Sequence, residues 1–112
     1  MSITRLYTGS DGRSHLEDLD PAAHAELLTL QAATGIVFRS AEPGQFHDWH
    51  HAPRRQYVIT LEGEVEIGLG DGTLHRFGPG HVILAEDLTG QGHTTRAVGA
   101  RRRLTATIPL AD

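Results

Sequence analysis

The stretch Gly44 to Gly63, GQFHDWHHAPRRQYVITLEG, gathers three imidazoles, two carboxylates, two guanidiniums and two amides. If it is extended, alternate side chains share a face. Asp48, His50, Ala52, Arg54 and Gln56 then fall on one side, and His47 and His51 on the other. Pro53 can break the register beyond Ala52. Arg54 and Arg55 suit an anionic ligand, since a guanidinium holds carboxylate or phosphate through paired N–H groups; the alternative is a salt bridge to Asp48, Glu86 or Asp87. Trp49 and Tyr57 flank the run, either as ligand contacts or as ordinary core or interface aromatics.

Composition bounds what these residues can do. The 112 residues carry eight His and no Cys. Disulfides, thiolate metal sites and cysteine nucleophiles are thereby excluded, and a metal ion would need His, Asp, Glu, Gln, Asn or Tyr. Ten basic residues, all Arg, against fourteen acidic ones give a formal charge of −4. That balance argues against nucleic acid as a partner, which calls for a basic face. Protonating all eight His would carry the charge from −4 to +4, so pH sensitivity is expected wherever imidazoles converge. The longest aliphatic run, Val82–Ala85, is far short of the ~20 residues that span a bilayer, and Met1–Tyr7 has no apolar signal region. A soluble cytoplasmic protein without membrane contact is the expectation.

The elements that would position the site are short and glycine-punctuated. Strand formers occupy Ile3–Thr8, Ser14–Leu19, Thr34–Ala41, Gln56–Leu61, Glu64–Leu69, Thr73–Phe77, His81–Glu86, His93–Val98 and Arg102–Ile108. Ser14–Leu19 is expected to pair with Ile3–Thr8 as a hairpin. Val65, Ile67 and Leu69 alternate with Glu64 and Glu66, and the turn at Glu62-Gly63 predicts a second hairpin with Gln56–Leu61. Seven to nine strands with regular turns predict a β-sandwich or barrel. One segment reads differently: Asp20 as an N-cap with Pro21 at the first helical position predicts a short helix to about Leu28. Arg101-Arg102-Arg103, the one charge run, reads as a solvated strand end. His15, His24, His75 and His81 read as structural, the last two as exposed.

The spacings also carry a resemblance. Gly44, His50, Gln56 and Gly63, followed by Gly78-Pro79-Gly80 and then Gly92-His93, are similar to the two motifs of the cupins, over about Thr34–Ile108. DWHHAPRRQ with FGPG and AEDLTGQGHTTR resembles a group of small single-domain bacterial cupins. The resemblance implies an all-β fold, a double-stranded β-helix or jelly-roll barrel, with one domain over residues 1–112 and a site in the barrel mouth. It implies a divalent metal held by three His and one Glu. Here His50 matches the first ligand and His93 the last; Ala52 stands at the second His position and Gln56 at the Glu position. Asp48 could supply the missing oxygen, and two imidazoles with one carboxylate would suit Fe, Zn, Mn or Ni. With Ala52 and Gln56 in place, such a metal is expected to be weakly bound or absent.

Three functions follow as expectations. The first is a small-molecule-binding barrel with a degenerate metal site at His50, Gln56, His93 and Asp48, taking a small anionic ligand near Arg54, Arg55 and Tyr57. The second is a metal-dependent oxygenase or isomerase acting on a small organic acid. The third is a structural or partner-binding barrel whose site has decayed. No G-x-S-x-G or H-E-x-x-H signature is present. A homodimer is expected, with the N-terminal strands of residues 1–20 packing on the partner, because that segment has no evident internal role and sheet edges need covering.

Overall fold

β-Branched and aromatic residues set between glycine-centred turns build ten strands among the described residues. The computed structural model describes Ile3–Asp112. The strands are β1 (Ile3–Thr8), β2 (Ser14–Leu19), β3 (Val37–Ala41), β4 (Phe46–His50), β5 (Gln56–Glu62), β6 (Glu64–Gly68), β7 (Leu74–Phe77), β8 (Val82–Glu86), β9 (His93–Val98) and β10 (Arg103–Pro109). They form a six-stranded sheet in the order β2-β1-β8-β5-β10-β3 and a four-stranded sheet in the order β4-β9-β6-β7. Of the strand pairs, β1 and β8 run parallel and the others antiparallel.

Burial follows the period of two. Val65, Ile67 and Leu69 of β6 and the turn after it join Leu6, Ala52, Ile83 and Ala85 in the core between the sheets. Leu84, between Ile83 and Ala85, points the other way. It packs outside the large sheet with Leu19 and Leu110, against Ile3, Leu27 and Tyr57. This second cluster explains the uninterrupted apolar run of β8, a strand covered on both faces.

Three expectations change. The hairpin between Gln56–Leu61 and Glu64–Leu69 does not form: β5 pairs with β8 and β10, whereas β6 pairs with β7 and β9. Gly63 is instead the corner where the chain leaves one sheet for the other. It has φ +75°, and a Cβ there would overlap the carbonyl of Arg102, so only glycine fits. The helix expected from Pro21 shrinks to a 3₁₀ turn, Ala25–Leu28. Asp20 does bond the backbone N–H of Ala22 through Oδ1 at 3.0 Å, but the segment's one structural duty is to lay Leu27 on the outer cluster, and a single turn suffices. His81, expected to be exposed, is half-buried. It stacks on Phe77 with ring centroids 4.2 Å apart and contacts the Thr4 hydroxyl at 2.9 Å.

The N-terminal strands have a role in their own chain. β1 lies between β2 and β8 in the large sheet and supplies Leu6 to the core. The segment therefore has an internal role, contrary to expectation, while β2 still forms an edge of the large sheet; Met1 and Ser2 lie outside the described residues.

The corner at Gly63 gives a direct check. Gly63→Ala must relieve both a left-handed φ and a backbone overlap, and is expected to cost about 2 kcal/mol or more. Urea denaturation should report a lower midpoint at unchanged slope; an unchanged midpoint would contradict the close approach.

Candidate functional site

The two sheets enclose a cavity of about 600 Å³, open at one end. This is within the ~300–1,000 Å³ typical of ligand pockets. Its lower wall is the apolar core: Leu6, Val65, Ile67 and Ile83. Its polar wall comes from β4 and β9 on one side and β3, β5 and β10 on the other.

His50 and His93 face each other. They are register partners across β4 and β9, with ring centroids 4.5 Å apart. Gly92 (φ +78°) sets the approach, since a Cβ there would overlap the His50 carbonyl. His93 is 6% exposed and its Nδ1 lies 2.6 Å from Oδ2 of Asp87, which is wholly buried. A carboxylate accepts, so Nδ1 carries the proton and a neutral His93 keeps its lone pair on Nε2. The Asp87 carboxylate also accepts from Ser14 Oγ at 2.7 Å and from the backbone N–H of Ala52 at 3.3 Å. His50 donates Nδ1–H to the carbonyl of Asp48 at 2.8 Å, which leaves its Nε2 as an acceptor too. Neither Nε2 has a hydrogen-bond partner among the described residues.

A bulge alters which residues of β4 reach the cavity. His47 is opposite Thr95 and His50 opposite His93, so three steps on β4 match two on β9. The extra residue reverses the alternation. His47 therefore joins His50 on the cavity wall, with ring centroids 6.1 Å apart. Asp48, expected beside His50, is outside the cavity, and its Oδ1 accepts the backbone N–H of Trp49 at 2.9 Å.

On β5 the alternation holds. Gln56 and Val58 line the cavity, and Tyr57 points to the outer cluster, where its hydroxyl donates to Gln31 Oε1 at 2.8 Å. Arg55 also lies outside. Its guanidinium donates to Glu86 at 2.7 Å and Asp112 at 2.9 Å, and the hydrogen bond to Glu86 holds its pKa above the ordinary value. Glu86 binds Arg5 as well. Arg54 is exposed and does not line the cavity. Of the residues expected at the site, the structure brings together His50, His93 and Gln56; it sets Asp48, Arg54, Arg55 and Tyr57 apart.

The residue that sequence reasoning passed over is Arg103. It lines the cavity from the start of β10, largely buried, and its Nε has no hydrogen-bond partner among the described residues. Burial pulls its pKa down from the ordinary arginine value to about 10. Arg103, Thr105 and Thr107 alternate along β10 and all three face the cavity; that period of two was the available signal. Arg39, register partner of Thr105, adds a second guanidinium to the wall.

This arrangement of two facing sheets around a central cavity decides the architecture. The fold is a double-stranded β-helix. Solved structures share it: a double-stranded β-helix protein from Klebsiella pneumoniae (21% identity, 73% of this chain and 67% of that one, TM-score 0.55), the polyketide cyclase RemF from Streptomyces resistomycificus (15%, 97% and 75%, 0.58) and a predicted oxalate decarboxylase from Thermotoga maritima (17%, 97% and 93%, 0.52). At these identities the likeness concerns the fold alone. No protein-family profile matches the chain, and no curated protein does. No helix among the described residues is long and apolar enough to cross a membrane.

The double-stranded β-helix is often a metal scaffold, so the donors decide whether an ion fits here. His50 and His93 present two Nε2 atoms. The second His position holds the buried methyl of Ala52, Gln56 offers a neutral amide, and Asp48 is outside. His47 turns Nε2 to the amide of Gln45 at 3.3 Å. Among the described residues no three His, Cys, Asp or Glu side chains converge as a metal group. A resident divalent ion does not fit this donor set. Titration with Zn²⁺, Mn²⁺ or Fe²⁺ should therefore give only weak binding that dialysis against chelator reverses. One equivalent of metal surviving chelator would contradict the reading.

Proposed function

We propose that this chain binds a small organic anion in the barrel cavity. One observation carries the reading: the cavity wall holds Arg39, Arg103 and three imidazoles and no carboxylate, in a chain whose formal charge is −4. Elsewhere the guanidiniums of Arg5, Arg55 and Arg76 have carboxylate partners. Arg103 has none.

A buried charge without a partner works against folding. Below about pH 10 both the folded and the unfolded chain keep the Arg103 proton, so the cost is present in full at neutral pH; it is relieved only as pH rises from about 10 towards the ordinary arginine value. A carboxylate entering the cavity would remove that cost by pairing with the guanidinium, in a bidentate geometry that Arg favours. Thr95, Thr105, Thr107 and Gln56 offer neutral hydrogen bonds to the rest of such a ligand, and the apolar floor excludes water beneath it.

The metal-dependent oxygenase or isomerase needs a third strong ligand, which the donor set lacks. A decayed, merely structural barrel gives no reason for an uncompensated guanidinium inside it. The anion reading accounts for both.

Thermal unfolding tests it. Millimolar oxalate, malonate, pyruvate or phosphate, each against chloride at equal ionic strength, should raise the midpoint for at least one anion; at a hundredfold excess over Kd the linkage amounts to ~2.7 kcal/mol. Arg103→Met should melt at or above the wild-type midpoint in anion-free buffer and lose the anion-dependent rise. An equal rise in both proteins would place the anion elsewhere and contradict the proposal.

A further inference from the structure

Beside the guanidinium, the cavity holds an imidazole prepared for proton transfer. The Asp87 carboxylate fixes the His93 ring through Nδ1 at 2.6 Å and is itself held by Ser14 and the Ala52 backbone. Such a carboxylate sets the tautomer and steadies the imidazolium that forms when Nε2 takes a proton. His93 Nε2 has no partner among the described residues, the ring is almost fully sheltered from bulk water, and it lines the same cavity as Arg103. The reading of the cavity as an anion site does not by itself need any of this: an anion-binding wall requires no buried carboxylate behind one of its imidazoles.

We infer that the cavity catalyses proton transfer at carbon, with His93 as the general base, Asp87 as its positioning residue, and a small 2-oxo acid held on Arg103 as the substrate class. This rests on the anion reading above. The substrate class follows from two requirements. Arg103 calls for a carboxylate. A neutral imidazole is a weak base, so the C–H it attacks must be acidified by an adjacent carbonyl. A 2-oxo acid meets both, because its carboxylate and the oxygen of its neighbouring carbonyl can share the two parallel N–H groups of one guanidinium.

The step balances without a co-reactant. The C3–H bond breaks and its proton goes to His93 Nε2. The C–H electron pair becomes the C2=C3 bond, and the carbonyl π pair moves to the C2 oxygen, where the guanidinium stabilises the developing charge. The reverse step returns a proton from His93 to carbon. His50, 4.5 Å away between ring centroids and with its own Nε2 free, is an acceptor through which the borrowed proton can exchange with solvent. In deuterated water the returned nucleus is deuterium.

Proton NMR of pyruvate, 2-oxobutyrate and 2-oxoglutarate in D₂O with the full chain reads this out. Loss of the C3–H signal should be at least about a hundredfold faster than with the same concentration of free imidazole, the lower end of what positioned general bases supply. His93→Gln should fall to the imidazole background while retaining the anion-dependent rise in melting midpoint. Asp87→Asn should lose exchange as well, and ¹⁵N spectra should show its His93 proton moved from Nδ1 to Nε2, a change that mere loosening of the fold would not produce. If Asp87→Asn does not fold, His93→Gln decides alone. Binding of these acids in an Arg103-dependent way with no exchange above that of His93→Gln would overturn the proton-transfer inference and leave the anion reading standing. Binding of none of them, nor of the simpler anions, would overturn the anion reading and this inference with it.

Discussion

The mouth of this barrel depends on one carboxylate that water does not reach. Asp87, just past β8, takes hydrogen bonds from Ser14 on β2, from the Ala52 backbone after β4 and from His93 on β9. The first two strands of that set, β2 and β8, belong to the large sheet; β4 and β9 belong to the small one. A buried carboxylate deprived of a donor costs far more than one hydrogen bond is worth. The three contacts therefore stand or fall together, and with them this tie between the two sheets. The same carboxylate fixes which His93 nitrogen faces the cavity, so architecture and chemistry share one interaction.

Charge is then distributed by compartment. On the outside, three guanidiniums are paired with carboxylates: Glu86 serves Arg5 and Arg55, Asp112 serves Arg55, and Glu64 serves Arg76. Inside, the cavity keeps cationic and imidazole side chains and excludes acidic ones. An acidic protein can thus present a locally positive, low-dielectric concavity, where a charge acts more strongly than on the surface.

Much of this was legible in the sequence where the governing rule is local. Val65, Ile67 and Leu69 gave the inward face of β6, and the motif spacings placed His50 and His93 at one site. Pairing was not legible. β5 and β6 adjoin in sequence with a glycine between them, yet each finds distant partners, because non-local packing outweighs the local hairpin signal. The bulge in β4 was not legible either: it reverses the facing of His47 and Asp48 without any Gly or Pro to mark it. Arg103 was hidden for a different reason. It ends a run of three arginines whose first two are exposed, and the run read as a single solvated feature although the alternation with Thr105 and Thr107 singled it out. Arg55 read either as an anion contact or as a salt-bridge partner of Asp48, Glu86 or Asp87; the bridge to Glu86, thirty-one positions away, is the one that forms, and only the fold decides between the two.

The central claim is that Arg103 is the anion anchor of the cavity. Its most direct test is the Nε–H resonance of Arg103 in a two-dimensional ¹⁵N–¹H spectrum, assigned through Arg103→Met, during titration with pyruvate or oxalate at constant ionic strength. The account predicts a saturable shift confined to Arg103 and Arg39 among the ten arginines. Saturable shifts at exposed Arg101 and Arg102 with Arg103 unmoved would contradict it.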